Sequence, residues 1–181
     1  MLTNKKTTQL SKFLSLILRH KPETINATLD SEGWISVEEL LDKIKAHGQE
    51  MSRDELNHIV ETNSKKRFAF DASGTKIRAS QGHSIAVNLG YEAQAPPTLL
   101  YHGTATKHLD AILKEGLDKR NRQHVHLSAD LDTARQVGQR HGKVVILKVQ
   151  AQLMHTQGYK FFLSKNGVWL TDKVPVEFLD Q

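Results

Sequence analysis

Arginine and histidine side chains at a few places along this 181-residue chain have types that could do chemistry. Arg19 and His20 are adjacent, Arg67 follows two lysines, and Arg122 closely precedes two histidines. A guanidinium presents a fork of hydrogen-bond donors, and an imidazole ionises near neutral pH. Each residue also fits a solvated surface or a helix end, where a cation gains about 0.3–1 kcal/mol from the helix dipole. Alone, therefore, none of them establishes a functional site.

Two histidines two residues apart, His124 and His126, raise the question of a metal. On a strand they would face the same side, and paired histidines can bind zinc. No third His, Asp or Glu ligand stands at a telling spacing in the sequence. We therefore prefer a packed or hydrogen-bonded role for one histidine and expect no metal site.

The segment Tyr101–Thr104 places a histidine, a glycine and a hydroxyl at the end of a predicted strand. Glycine lets a ligand approach the backbone closely, and Thr104 can cap a helix that begins at Lys107. A second segment, Gln81–Ser84, either faces a phosphate or ends a β-hairpin. The chain contains no P-loop, dinucleotide-binding glycine fingerprint or carboxylate-rich metal site.

The first half of the chain must position the earlier candidates on helices and a hairpin. Apolar residues at helical spacing predict an amphipathic helix over Thr8–His20, which Pro22 ends. Two Ser-x-x-Glu patterns, which begin at Ser36 and Ser52, match the capping box that starts a helix. A β-hairpin pattern then covers residues 67–79. Three helices followed by a hairpin indicate a winged-helix unit, an arrangement used mostly on nucleic acid.

The second half changes to short strands separated by helices. Gly, Ala and Pro without clear periodicity at 91–97 predict a linker between a domain at 1–90 and one at 98–181. The pattern predicts strands at 99–102, 124–127, 144–149 and 168–170, with helices at 107–115 and 131–140. The fold class is therefore α+β, with the cleft between the lobes expected near the linker.

Composition limits the class of protein further. The chain has no cysteine, a net charge of +5 and 38% hydrophobic residues, so thiolate catalysis is excluded, and the basic charge is compatible with a polyanionic partner. No apolar stretch approaches the roughly 20 residues of a membrane span, and the N-terminus lacks a secretory signal. We expect a cytoplasmic monomer that does not bind membranes.

Several motifs occur together in the order of one known family. They are Leu10–Ser15 leading to Leu18–His20, then Lys66–Phe68, Ile77–Ala79, Gln81–Ser84, His102–Thr104, His124–Ser128 after Arg122, and Asn166–Leu170. On these motifs the chain closely resembles the RNA 2′-phosphotransferase family, which completes tRNA splicing in fungi and is widespread in bacteria. The match runs nearly from end to end.

The resemblance implies both a fold and a site. The family joins an N-terminal winged-helix RNA lobe to a C-terminal ADP-ribosyltransferase lobe. Its essential Arg-His-Arg-Arg set falls on Arg19, His20, Arg67 and Arg122. NAD would be bound by His102, Gly103, Thr104, His126 and Ser128. Val168 would stand where many ADP-ribosyltransferases carry a glutamate.

The implied reaction transfers the RNA 2′-phosphate to NAD⁺ in two steps, through a 2′-phospho-ADP-ribosylated RNA. Its products are 2′-OH RNA, ADP-ribose 1″,2″-cyclic phosphate and nicotinamide, with neither a metal nor a covalent protein intermediate. One alternative keeps the fold but caps terminal phosphates of RNA or DNA with ADP-ribose. Another is a non-catalytic winged-helix nucleic-acid binder, which would bind RNA salt-sensitively and consume no NAD⁺. The role of Gln81–Ser84 stays open.

Overall fold

A computed structural model describes residues 4–180 of the chain. The chain divides into two compact units, Met1–Gly90 and Tyr91–Gln181, and each has its own hydrophobic core. Both units combine helices with antiparallel strands, so the α+β class is confirmed.

The first unit contains three helices and a three-stranded sheet. Its elements are α1 (Asn4–Arg19), a 3-10 turn (Pro22–Ile25), β1 (Ile35–Ser36), α2 (Val37–Ala46), α3 (Arg53–Thr62), β2 (Phe68–Phe70) and β3 (Lys76–Ala79). The predicted hairpin is confirmed, because β2 pairs with β3, and β3 also pairs with β1. The Asp71 carboxylate tightens the connecting turn by accepting a hydrogen bond from the Lys76 amide at 2.9 Å.

Helix α1 packs its apolar face into the core of this unit. Leu14, Ile17 and Leu18 are fully buried, in agreement with the helical spacing seen in the sequence. The helix ends at Arg19, and Pro22 opens the following 3-10 turn. Its end therefore coincides with the first two candidate residues, Arg19 and His20.

The second unit is built from short antiparallel strands. Its elements are β4 (Leu100–Ala105), α4 (Thr106–Glu115), β5 (Leu117–Asp118), β6 (Val125–Leu127), α5 (Leu131–Gly138), a 3-10 turn (Gln139–His141), β7 (Val144–Val149), α6 (Ala151–Thr156), β8 (Phe162–Leu163), β9 (Trp169–Thr171), β10 (Lys173–Val174), a 3-10 turn (Val176–Phe178) and β11 (Leu179–Asp180). Strand β7 lies between β4 and β11, β9 lies between β6 and β8, and β5 pairs with β10.

The residues predicted as a linker make contacts within the second unit. Ala93 forms an isolated bridge with Phe162, the Gln94 amide donates to the Phe161 carbonyl at 2.8 Å, and Pro96 is buried. The part of 91–97 around these residues is thus attached to the second unit, and its role as a linker stays a prediction.

Candidate functional site

Arg19 and Arg67 meet where α1 ends and β2 is about to begin. The Nη2 atom of Arg19 donates to the Arg67 carbonyl at 3.4 Å, and the Arg19 guanidinium lies 6.0 Å from the centre of the Phe68 ring. The Arg67 guanidinium is held in turn, because its Nη1 donates to Asn63 Oδ1 at 3.2 Å. Two of the predicted residues, 48 positions apart in the chain, are therefore neighbours.

His20 follows Arg19 directly and is exposed. Its Nδ1 lies 2.9 Å from the hydroxyl of Ser84, and the Ser84 amide donates to the Arg19 carbonyl, also at 2.9 Å. The first unit thus brings together Arg19, His20 and Arg67, while Arg122 belongs to the second unit.

The surroundings of these residues are electrostatically positive. Burial, the larger cause, and the positive charges of Arg19, His20 and Arg78 together lower the pKa of His83 to about 4. Only 1% of His83 is exposed, and neither of its ring nitrogens has a hydrogen-bond partner among residues 4–180. His83 is therefore a neutral, buried side chain in a field that favours an anion.

Arg122 lies in the loop before β6 and contacts one of the paired histidines. Its Nη1 lies 3.1 Å from Nδ1 of His126. A guanidinium only donates, so Nδ1 of His126 must accept, which places the proton of the neutral ring on Nε2. The contact therefore both orients Arg122 and selects the tautomer of His126.

His102 lies in β4 and is fixed in the opposite tautomer. Its Nδ1 is 3.1 Å from the His126 carbonyl, which can only accept, so His102 carries its proton on Nδ1 and presents a lone pair at Nε2. Burial lowers the pKa of His102, an effect that the charges of Arg122 and His141 reinforce and that the hydrogen bond to the carbonyl opposes. The second unit thus offers one imidazole acceptor and one imidazole donor.

Gly103 is needed for helix packing. A Cβ atom there would lie 1.7 Å from the carbonyl oxygen of Ala134, because α5 crosses β4 directly at this point. A Cβ at Gly138 would similarly lie 3.0 Å from the Gly103 carbonyl carbon. Helix α5 therefore occupies the space into which a side chain at position 103 would project.

The sequence prediction that Thr104 caps the following helix is wrong. Strand β4 continues through Ala105, α4 begins at Thr106, and Ala105 stands at the N-cap position without a side-chain hydrogen bond. Thr104 is instead buried within the strand. The strand runs further than predicted because all six of its residues pair with β7.

Ser128 is tied to β4 by its backbone. Its amide and carbonyl exchange hydrogen bonds with those of Tyr101, at 2.8 and 2.9 Å. His124 is half-buried just before β6, with its ring edge against Phe162, and burial lowers its pKa. Within residues 4–180 no group of three His, Cys, Asp or Glu side chains is arranged to hold a metal ion.

Sequence reasoning missed the side chains that hold these residues in place, above all Asn63 on Arg67 and Ser84 on His20. Ser84 belongs to a segment that the sequence singled out, but no spacing rule connects it with a residue 64 positions away. Asn63 follows α3 and carries no signal of its own. Such partners become visible only once the strands and helices are placed.

The whole chain was compared with known families and proteins. A family model described as "RNA 2'-phosphotransferase, Tpt1 / KptA family" matches residues 5–173. A probable RNA 2'-phosphotransferase of Fusobacterium nucleatum is 54% identical over 172 residues, which are 94% of this chain and 96% of that protein. Proteins with the same name from Pseudomonas fluorescens and Pectobacterium carotovorum are 53% identical over 170 residues and 49% over 180. These cover 93% and 99% of this chain, and 93% and 97% of the relatives.

Among the helices of residues 4–180, none has the length and apolar character needed to cross a membrane.

Proposed function

This chain belongs to the RNA 2′-phosphotransferase, Tpt1/KptA family, and on that premise we propose that it transfers a 2′-phosphate from RNA to NAD⁺. The observation that carries the proposal is the meeting of Arg19, His20 and Arg67 at the end of α1. The positive charges of Arg19 and His20, which also lower the pKa of the buried His83, favour an anion at this place, and a phosphomonoester carries about −1.5 to −2 charges at neutral pH.

The proposed reaction has two steps. An oxygen of the RNA 2′-phosphate first forms a bond to the ribose carbon of NAD⁺ that carries nicotinamide, and nicotinamide leaves with the electron pair of the broken C–N bond. The 2″-hydroxyl of the attached ADP-ribose then attacks phosphorus and loses its proton. The bond from phosphorus to the RNA 2′-oxygen breaks, and that oxygen gains a proton. The products are 2′-OH RNA and ADP-ribose 1″,2″-cyclic phosphate.

We assign Arg19, Arg67 and Arg122 to the phosphate. Their forked donors orient it in the first step and stabilise the charge that moves onto its oxygens in the second. His20 binds the phosphate or carries a proton between the attacking hydroxyl and the leaving 2′-oxygen. A phosphate nucleophile is already ionised, so the first step needs no carboxylate base, in keeping with Val168 at the position where many ADP-ribosyltransferases have glutamate.

The second unit has donors and acceptors suited to a dinucleotide. His102 offers an imidazole lone pair and His126 an imidazole N–H, which fit the hydroxyls and carboxamide of NAD⁺. We assign His102, Thr104, His126 and Ser128 to NAD⁺, with Gly103 contributing its backbone. NAD⁺ is here a substrate that the reaction consumes.

The same proposal covers the architecture of the two units. Three helices and the β2–β3 hairpin, with β1 added to β3, support a winged-helix RNA lobe in the first unit. The second unit is proposed to be an ADP-ribosyltransferase-like lobe.

A gel assay tests the function. A short RNA with one internal 2′-phosphate is incubated with the protein, with and without NAD⁺ and without added metal. We expect 2′-OH RNA only when NAD⁺ is present. Stable ADP-ribose on a terminal phosphate would instead favour the capping activity, and RNA binding without NAD⁺ consumption would favour a non-catalytic binder.

A further inference from the structure

The segment between β3 and the end of the first unit closes on the backbone of both arginines. The Ser80 amide donates to the Arg67 carbonyl at 2.8 Å, and the Ser84 amide donates to the Arg19 carbonyl at 2.9 Å. The last carbonyls of a helix have no partner within the helix, so Ser84 supplies a donor that the end of α1 needs. Residues 80–84 therefore hold the two arginines from outside their own elements.

His83 anchors this segment in the core of the unit. The residue is buried against Gly33, where the site of a Cβ atom would lie 3.5 Å from the His83 Nε2, and Val87 borders the same glycine. Gly33 has a φ of +80°, a conformation that glycine adopts without strain. With His83 fixed, the position of the next residue, Ser84, is fixed as well.

Ser84 places its side chain on the imidazole of His20. The hydroxyl oxygen lies 2.9 Å from Nδ1, although His20 is exposed and comes after the last helical residue. An exposed imidazole otherwise rotates among several conformations. The hydrogen bond restricts the rotation of the ring through Nδ1.

The chemical type of this partner matters for a group that gains and loses a proton. A hydroxyl both donates and accepts, so by rotating it can bond to Nδ1 whether that nitrogen is protonated or not. A carbonyl, such as the one facing His102, accepts only and would fix the proton on Nδ1. A carboxylate would in addition stabilise the imidazolium. Serine keeps the ring oriented without favouring one charge state.

We infer that Ser84 is a positioning residue for His20, held by the buried His83, and that it keeps the His20 ring oriented through the proton transfers of the second step. The inference rests on the proposed function for its catalytic part. The orientation of the ring can be measured without any reaction.

The experiment combines two measurements on Ser84→Ala, with Ser84→Thr as the variant that keeps the hydroxyl. Nitrogen-15 NMR of the imidazole reports the tautomers and the hydrogen bonding of His20 in the intact protein. Single-turnover assays with 2′-phosphorylated RNA follow the intermediate. Ser31→Ala, which removes an exposed hydroxyl from the same unit, is the control.

We expect Ser84→Ala to shift the His20 ring signals towards those of a freely rotating imidazole. Loss of one neutral hydrogen bond should slow the second step on the order of fivefold, so that ADP-ribosylated RNA accumulates. Ser84→Thr should restore both the signals and the rate, and Ser31→Ala should change neither.

Unchanged His20 signals in Ser84→Ala would overturn the inference, as would a changed ring with an unaltered second step. Failure of the unsubstituted protein to convert RNA would refute the proposed function. In that case the NMR result would still decide whether Ser84 orients His20.

Discussion

The histidines of this protein differ most in the atom that faces their ring nitrogens. The His126 carbonyl faces His102, the Arg122 guanidinium faces His126 and the Ser84 hydroxyl faces His20. A carbonyl fixes a donor, a guanidinium fixes an acceptor and a hydroxyl allows both. Of these three histidines, therefore, His20 has the partner that suits a group exchanging protons.

Removing a residue of the second step should stop the reaction halfway. We expect Arg122→Ala and His20→Ala each to slow the proposed second step more than the first, because the proposal assigns them to the charge and protons that move when phosphorus is attacked. ADP-ribosylated RNA should accumulate in a single-turnover gel assay. If neither variant forms any product, both residues serve binding or the first step instead.

The buried, neutral His83 should make the first unit sensitive to acid. Its pKa is about 4 in the folded protein and about 6.5 when unfolded. As the pH falls, His83 of the unfolded chain therefore binds a proton before His83 of the folded protein does. The free energy of unfolding keeps its full value above the pKa of the unfolded state, and it decreases as the pH falls towards the pKa of the folded state. Between about pH 7.5 and pH 5, protonation of His83 should lower the free energy of unfolding by about 2 kcal/mol.

Urea unfolding at these two pH values checks this, with His83→Leu compared with the original protein. The free energy of unfolding of His83→Leu should lack the part of this decrease that is due to His83, whatever the stability of the variant at neutral pH. Replacing an exposed histidine of the same unit, as in His58→Gln, is the control for a general loss of one histidine. An unaltered pH dependence in His83→Leu would show that His83 is not the group responsible.

The sequence predicted the residue types at the site better than their partners. Arg19, His20 and Arg67 were candidates from their types and from the family motifs, and the structure places them together. Their hydrogen bonds to Asn63 and Ser84 depend on tertiary packing, which no local spacing encodes. The expected roles of all the site residues stay predictions.

At the scale of elements, the two Ser-x-x-Glu patterns allow a comparison within one unit. Both serines begin a helix, but only Ser52 completes the capping box: its hydroxyl accepts from the Glu55 amide at 3.1 Å, and Glu55 accepts from the Ser52 amide at 3.0 Å. Ser36 lies 3.5 Å from its amide partner. Sequence alone could not tell these two geometries apart.

We expect Ser52→Ala to lower the free energy of unfolding by about 1 kcal/mol, because the first turn of α3 loses an acceptor. Ser36→Ala is the matched variant and should cost clearly less, since a hydrogen bond at 3.5 Å is weak. Urea unfolding of both variants checks the order. An equal loss would contradict the importance of the reciprocal pair.

The crossing of α5 over β4 gives a sharper prediction. Gly103→Ala should destabilise the protein by at least about 3 kcal/mol, because the new methyl group would overlap backbone that cannot rotate away. Gly158→Ala is the control: it has open space but a φ of +93°, so only backbone strain of about 1 kcal/mol is expected. If urea unfolding showed similar losses of the free energy of unfolding for the two variants, the predicted overlap would be contradicted.

Long periodic elements were predicted well and short ones were not. The strand at 144–149 is confirmed residue for residue, and the helices beginning near 106 and 131 lie close to their predicted bounds. Strands of two residues, such as β1 and β5, were missed because so short a stretch has no periodicity to detect. They exist only through pairing with distant partners.

For the whole molecule, the important feature is that each unit has a complete hydrophobic core. The buried apolar residues of the first core run from Leu10 to Ala79, and those of the second from Leu100 to Phe178. Units of this size with their own cores commonly fold alone. The sequence likewise predicts two separate lobes, at residues 1–90 and 98–181, with a linker at 91–97.

Residues 1–90 and 91–181, produced separately, should therefore each unfold cooperatively in urea. Fragments cut at residue 120 serve as the control, because that cut separates β4 from its partner β7. If the fragment 1–90 or the fragment 91–181 unfolded without cooperativity, the units would depend on each other. Sedimentation of the full chain tests the expected monomer.

The contact between Gly103 and Ala134 also affects what the His-Gly-Thr signature says about ancestry. The glycine is constrained by the shape of the backbone crossing, whatever ligand lies nearby. A descendant that had lost its reaction would still need this glycine to fold, whereas its arginines would be free to drift. Retention of Gly103 in a divergent relative would thus record common descent of the fold, whereas under the proposed function its activity would be judged from the residues equivalent to Arg19, Arg67 and Arg122.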